Sequence, residues 1–405
     1  MQFKIDKKLK NSLGRAGVIK TPHGEIHTPA FVTVGTKGTV KALTPEQVKD
    51  LGAEVVLANT YHLYLEPGDE VVKNMGGLAK MMNWRQSDGS AAPTMTDSGG
   101  FQAFSLGVAF DYGVSKFIAA DAPAPEILEE AYDKLRKNKK AEITEDGVKF
   151  QSIIDGSEHF LSPEKSIQIQ HNLGADIIFA FDECTSPHAS HEYLEEAMER
   201  THRWAQRSLA EHQKLENKNQ ALFGIVQGGR YQDLREKSAK IIGAMDFDGF
   251  GIGGSFIKED MEEAVKWVNE ILPEEKPRHL LGVGEPEDLF GAIENGCDLF
   301  DCVAPTRLAR NGTLYTKNGK INIMNKKFRN DFNKLENDCN CYFCKNYTAA
   351  YLAHLFHGKE MLAATLASIH NLHFIVNLVK KIRQSILDDK FFEYKEEFLK
   401  GYLHF

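Results

Sequence analysis

Three cysteines stand in C-x-C-x-x-C spacing, Cys339-Asn340-Cys341-Tyr342-Phe343-Cys344, and make up half of the six in the chain. The first residues, Met1-Gln2-Phe3-Lys4-Ile5-Asp6, are polar and lack the apolar core of a signal peptide, which predicts a cytoplasmic, reducing setting. In such a setting clustered thiols read as a metal site before a disulfide. Thiolates at this spacing suit tetrahedral zinc, which needs a fourth ligand. The candidates nearby are His354, His357 and His370. His354 falls on a stripe with Tyr347, Tyr351 and Leu355 at i, i+4, i+7 and i+8, the spacing of a buried or partner-facing helix side. Spacing therefore ranks His370, at the end of an expected helix over 359–369, ahead of the other two. A Cys3His site closed on all four sides is structural and leaves no place for a substrate. The chemistry must lie elsewhere.

A second set of polar residues recurs after short apolar runs. Asp97-Ser98-Gly99-Gly100 follows Thr94-Met95-Thr96, and Asp182-Glu183-Cys184 follows Ile177-Ile178-Phe179-Ala180-Phe181. Gln227-Gly228-Gly229 follows Leu222-Phe223-Gly224-Ile225-Val226, Gly253-Gly254 follows Phe250-Gly251-Ile252, and Asp301-Cys302 follows Leu299-Phe300. Turn chemistry alone puts Gly and Asp after strands. Five such places in register favour a site.

The elements that must position them are the runs themselves. Together with Ala30-Phe31-Val32-Thr33-Val34, Val55-Val56-Leu57-Ala58 and Leu280-Leu281-Gly282-Val283 there are eight. Amphipathic, helix-like segments, such as 163–173 and 192–215, separate several of them. Apolar strands alternating with helices imply a parallel sheet with helical crossovers. Eight fit a closed (β/α)8 TIM barrel, whose C-terminal rim binds substrate. Periodicity leaves an open doubly wound sheet as the alternative. The expected organisation is a barrel catalytic domain over 1–320, with insertions near 85–93 and 107–142. A metal-binding helical subdomain over 321–375 and a C-terminal helix over 376–405, packing back on the barrel, complete it.

Composition narrows the partners. The chain has 405 residues, 42% hydrophobic, with a net charge of -8. That argues against a generally sticky nucleic-acid binder, and no run is long enough to predict a membrane span. Yet 307–334 carries eight basic residues, Arg307, Arg310, Lys317, Lys320, Lys326, Lys327, Arg329 and Lys334, against Asp331 alone. A solvated face and a phosphate-binding patch are both compatible with that run.

The motifs together resemble tRNA-guanine transglycosylases of the bacterial type, the queuine tRNA-ribosyltransferase family. They are Asp97-Ser98-Gly99-Gly100-Phe101-Gln102, Ile154-Asp155-Gly156-Ser157, Phe181-Asp182-Glu183-Cys184, Gly224-Ile225-Val226-Gln227-Gly228-Gly229 and Phe300-Asp301-Cys302-Val303-Ala304-Pro305-Thr306-Arg307, with the Cys339/Cys341/Cys344/His370 set. The resemblance implies a (β/α)8 barrel with one structural zinc per subunit, and exchange of guanine at the wobble position (34) of GUN-anticodon tRNAs, the Asp, Asn, His and Tyr types, for a 7-deazaguanine, a step of queuosine biosynthesis. It implies Asp301 as the nucleophile on the ribose and Asp97 as general acid/base. Asp182, Gln227, the backbone of Gly254 and Leu281 would bind the base, and Phe101 would stack on it. Arg307 and Arg310 would contact the anticodon loop. Ile257 stands where eukaryotic relatives carry a small glycine. With Cys184, it points to preQ1, 7-aminomethyl-7-deazaguanine, and Glu259 would support the peptide that accepts the aminomethyl group. Ser255 and Lys258 depart from the usual bacterial Leu and Gly. The resemblance further implies a homodimer with Tyr347, Tyr351, His354 and Leu355 at its interface. Two rivals make different demands. A non-catalytic RNA-binding subunit would be expected to lose Asp97 or Asp301, and a zinc-dependent barrel hydrolase needs an open metal site at the rim.

Overall fold

The computed structural model describes residues 1–103, 141–186, 189–215, 219–254 and 260–403. Strands β1 (Gln2–Lys8), β2 (Arg15–Thr21) and β3 (Gly24–Thr28) form an antiparallel sheet. β4 (Ala30–Val34), β5 (Val56–Ala58) and β6 (Thr94–Thr96) begin the barrel. β7 (Ala141–Ile143), β8 (Val148–Gln151) and β9 (Glu158–Leu161) interrupt it as a second antiparallel sheet. β10 (Ile177–Phe179), β11 (Ala221–Val226), β12 (Gly249–Ile252), β13 (Arg278–Leu280) and β14 (Leu299–Asp301) complete it. The parallel pairing of β14 with β4, Leu299 with Ala30 and Asp301 with Val32, closes the ring and removes the open-sheet alternative.

Each of the eight apolar runs contributes a barrel strand. They read as continuous apolar runs because both faces are buried. Ile177, Phe179, Ala221, Phe223 and Ile225 fill the interior, while Ile178, Leu222 and Val226 belong to the core shared with the surrounding helices. The seventh strand lies two residues earlier than its run, at Arg278–Leu280. Its first two residues are polar and fully packed, so a reading keyed on apolar side chains passes over them. The sheet β1–β3 covers the end where the strands start, adding Ile19 and Ile26 to the interior. There the buried Arg15 makes a two-pronged ion pair with the buried Asp298, at 2.9 and 2.7 Å.

Helix ends follow local sequence. Ser162 caps Pro163–Leu173, which Gly174 ends in the left-handed conformation, and Ser190 caps His191–Lys214. These two helices pack side by side, and His171 Nε2 meets His212 Nδ1 at 2.9 Å. Burial pushes His171 down to about 4, with repulsion from His212 adding to it and Glu211 opposing; burial also lowers His212, against Asp248. In the unfolded chain both imidazoles take up protons near pH 6.5, whereas in the folded protein both are held lower, His171 down to about pH 4. Stability is therefore complete above pH 6.5 and declines as pH falls toward 4. The melting temperature should drop across that window, and His171→Leu should flatten the slope. An unchanged slope in the variant would show that this pair does not set it.

The C-terminal part is less separate than its sequence implies. A hairpin of β15 (Thr313–Thr316) and β16 (Gly319–Asn322) leads to the short helices Tyr342–Asn346 and Ala349–His357. The long helix Met361–Leu387 then runs unbroken through the expected boundary at 375. His370 lies inside this helix, not at the end of one over 359–369. Phe343, Leu352, Leu366 and Ile375 share one continuous core with Phe31 and Phe300 of the barrel. Among the described residues Met361–Leu387 is the one helix long and apolar enough to cross a membrane, and 67% of its apolar window is buried inside the protein. The expected insertion at 107–142, including its lysine-rich helix, lies almost wholly outside the described residues.

Candidate active site and metal cluster

The ends of the barrel strands bring the singled-out polar residues to one rim. Asp97 follows β6. Its Oδ1 accepts from the backbone N–H groups of Thr60 and Gly99, both at 3.0 Å, and its Oδ2 from Asn59 Nδ2. Gly99 has φ +77°, and a Cβ there would stand 3.2 Å from the Tyr61 nitrogen; a Cβ on Gly100 would stand 2.7 Å from the Asp182 carbonyl. Only glycines let this loop lie so close against its neighbours. Phe101, in the helical turn after it, is half-buried.

Asp182 follows β10 and is buried. Ser98 Oγ donates to its Oδ1 at 2.9 Å and Gln227 Nε2 to its Oδ2 at 2.7 Å. The Asp182 bond places the amide nitrogen of Gln227 toward the carboxylate. Gln227 Oε1 is buried with no hydrogen-bond partner among the described residues. A continuous polar line thus crosses the rim: Asn59 to Asp97, then Ser98 to Asp182 to Gln227. The neighbouring carboxylate of Glu183 takes no part. It is tied to Arg200 and to Tyr193 Oη at 2.6 Å, anchoring this loop to the helix His191–Lys214. Cys184 is buried beside it.

Behind the line lies Arg235, fully buried, which sequence reasoning does not single out. It donates to the carbonyls of Gly229 at 2.7 Å and Gly253 at 2.8 Å, tying the loops after β11 and β12 together. Gly254, in a positive-φ conformation, is placed directly above it. Leu281 follows β13 and is half-buried against the barrel interior. Ser255, Ile257, Lys258 and Glu259 lie outside the described residues.

Asp301 ends β14. Its Oδ1 accepts from His279 Nε2 at 2.9 Å and from the Gly282 N–H at 3.0 Å, and its side chain is 16% exposed. His279 is a second residue absent from the sequence reading. It sits on β13, and no motif or run marks it.

Arg307 and Arg310 lie one turn apart on the helix Ala304–Arg310, directly after the Asp301 strand. Burial, reinforced by Arg307, lowers the pKa of Arg310. The basic run is less cationic than its sequence. Lys317 pairs with Asp338 at 3.2 Å and Lys320 with Glu285 at 2.7 Å, carboxylates from outside the run.

Away from the rim, Cys339, Cys341, Cys344 and His370 bring four donor atoms within 4.8 Å of one another. His370 Nδ1 lies 3.9, 3.6 and 3.5 Å from the three sulfurs in order. Its Nε2 donates to the Tyr315 carbonyl at 2.7 Å, which leaves Nδ1 unprotonated as a ligand. His373, one turn on, approaches Cys339 alone, at 3.7 Å. His354 and His357 are exposed and outside the cluster. The expected stripe is broken: the chain leaves the helix at Asn346 and re-enters it after Thr348, yet Tyr347 stacks on Tyr351 at 5.2 Å. Leu355 is buried, while Tyr342, Tyr351 and His354 stay exposed.

The family model described as queuine tRNA-ribosyltransferase matches residues 10–404. The chain is 46% identical over 405 residues to the queuine tRNA-ribosyltransferase of Caldanaerobacter subterraneus subsp. tengcongensis, across 99% of this chain and 98% of the relative. It is 48% identical over 403 residues to that of Desulforamulus reducens, with the same coverage. It is 47% identical over 398 residues to that of Fusobacterium nucleatum subsp. nucleatum, across 97% of this chain and 96% of the relative.

Proposed function

The chain belongs to the queuine tRNA-ribosyltransferase family, and from that premise we propose the particulars of its reaction. It is a pentosyltransferase that exchanges guanine in tRNA on the way to queuosine. The base inserted is preQ1, at position 34 of GUN-anticodon tRNAs, and the ribose passes through a covalent bond to Asp301. The observation that carries this reading is the rim itself. One carboxylate terminates β14 beside hydrogen-bond donors, another is held after β6, and a buried Asp182–Gln227 pair lies between β10 and β11.

In the first half, a carboxylate oxygen of Asp301 attacks C1′ of the ribose. The N-glycosidic bond breaks, its electron pair goes to the guanine, and Asp97 supplies a proton to the leaving base. In the second half, Asp97 takes a proton from the incoming base, whose nitrogen attacks C1′, and the electron pair of the ester bond returns to Asp301. Asp182 accepts from the base's N1–H and amino group. The second N–H of Gln227 and the backbone N–H of Gly254 donate to its carbonyl oxygen. Phe101 supplies a stacking face. By the resemblance, a branched residue at 257 selects an aminomethyl substituent over a larger one, and Glu259 is assigned to the peptide that accepts it. Arg307 and Arg310 take the anticodon-loop phosphates, whose single-stranded setting lowers the cost of extruding the target base.

The metal cluster fits zinc. Bonds of about 2.3 Å to sulfur and 2.0 Å to nitrogen in a tetrahedron space S and N by roughly 3.5 Å, close to the separations found. Cys339, Cys341, Cys344 and His370 would hold the ion, which would cross-link helices and supply no step of the reaction. The helices it would fix carry Tyr347, Tyr351, His354 and Leu355, the residues assigned to the interface with a second copy in a homodimer. The cytoplasm, where tRNA is modified, is the setting this reading requires.

The test is incorporation of radiolabelled base into unmodified GUN-anticodon tRNA. Label from preQ1, with little from preQ0 or queuine, is expected. Preference for either of the others would overturn the substrate assignment. Bound tRNA with no base entering would turn the reading toward an accessory RNA-binding subunit.

A further inference from the structure

We infer that His279 is a positioning residue for Asp301, and that its Nε2–H is the donor that eases departure of the ribose from that carboxylate. The inference rests on the covalent reading above. His279 is completely buried on β13, its ring edge-on to Phe179 at 5.5 Å. Its polar contact is Asp301 Oδ1 at 2.9 Å, while its Nδ1 is buried without a partner among the described residues. The ring proton therefore belongs on Nε2, because an N–H at Nδ1 would be buried with no acceptor.

A histidine kept only for packing would be a poor choice here. Burying an imidazole nitrogen unpaired is costly, and an apolar side chain of similar size would avoid that cost. What an apolar residue cannot do is donate to Asp301. That bond and the one from the Gly282 N–H fall on the same oxygen, Oδ1, so together they fix the rotation of the carboxylate about its Cβ–Cγ bond.

The chemistry makes the donor matter most in the second half. While the ribose is esterified to Asp301, the carboxyl group is neutral and its bond to His279 is weak. When the incoming base nitrogen attacks C1′, the C1′–O bond breaks and its electron pair returns to the carboxylate. Negative charge reappears on the group that His279 and Gly282 already address, and the hydrogen bonds strengthen as it does. Loss of the donor should therefore slow breakdown of the covalent complex more than its formation.

The experiment follows the denaturant-stable protein–tRNA adduct. It is formed with unmodified GUN-anticodon tRNA, then chased with excess guanine. Wild type is compared with His279→Phe, His279→Met and His279→Gln, whose amide nitrogen falls near the position of the imidazole Nε2. In the Phe and Met variants the adduct should accumulate and decay roughly 10- to 100-fold more slowly. kcat and KM for tRNA should fall together, leaving kcat/KM for tRNA, which reports adduct formation, little changed, and Gln should restore most of the decay rate. Decay at the wild-type rate in a folded Phe or Met variant would overturn the inference. Should Phe not fold, the Gln and Met pair decides, since they differ in the donor. Failure of wild type to form any adduct would overturn the covalent reading itself.

Discussion

Asp301→Asn should leave the protein folded and able to bind tRNA but lower base exchange by about 10^4-fold or more. The structure explains why Asn is the sharper substitution. Its carbonyl oxygen still accepts from His279 Nε2 and the Gly282 N–H, so neither donor is orphaned. What disappears is the carboxylate proposed to bond C1′. Without it, the base would have to leave from a ribose with no covalent partner, and the oxocarbenium-like charge would go unopposed. Asp301→Ala should lose activity as fully, with a stability loss added from the unpaired donors. The measurement is single-turnover incorporation of labelled guanine, alongside tRNA affinity and a thermal melt. Incorporation within about tenfold of wild type in the Asn variant would remove Asp301 from the nucleophile's role.

Cys341→Ala should release the metal, dissociate the dimer and inactivate the protein, in that causal order. Cys341 begins the helix Tyr342–Asn346, its sulfur accepting from the Cys344 N–H at 3.3 Å, and it faces His370 at 3.6 Å. His370 belongs to the long helix that also packs on the barrel. An ion held there would thus cross-link a short helix with little core of its own and a helix anchored elsewhere. Apparent binding energies for structural zinc run to roughly 10–16 kcal/mol in isolated fingers. Here the long helix is held by its own packing, so the loss should be smaller, on the order of 5 kcal/mol. Metal content per chain, sedimentation and base exchange measure the three stages. Full activity in a metal-free, monomeric Cys341→Ala protein would sink the whole sequence of effects. A metal-free variant that remains dimeric would separate the zinc from the interface.

The same long helix shows where a local reading falls short. Residues 359–369 look like a complete helix and His370 like its end, because the turn after it cannot be seen to pack. Packing of Leu372, Ile375 and Val379 into the common core carries the helix on to Leu387. Tyr347 fails in the opposite direction. Its spacing from Tyr351 is helical, but Thr348 caps the following helix through the Tyr351 N–H at 3.2 Å, and the chain straightens there. A strong cap outcompetes a spacing pattern that has no core to enforce it. The basic run behaves likewise: Asp338 and Glu285, which reduce its charge, come from other parts of the chain.

What the sequence determined by itself is whatever depends on neighbours along the chain. Eight apolar runs, the glycines and carboxylates after them, and the C-x-C-x-x-C spacing are all local. They suffice for a barrel, a rim and a metal cluster, because strand formation, turns and short-range ligation are set within a few residues. What only the tertiary structure decided is which distant groups meet. Asn59 reaches Asp97, Asp182 reaches Gln227, His279 reaches Asp301, and His370 rather than His354 turns to the cysteines. Those pairings follow from the register of parallel strands around a closed barrel and from the helices packed on it. Register is fixed by contacts summed over the whole ring, so no single segment contains it.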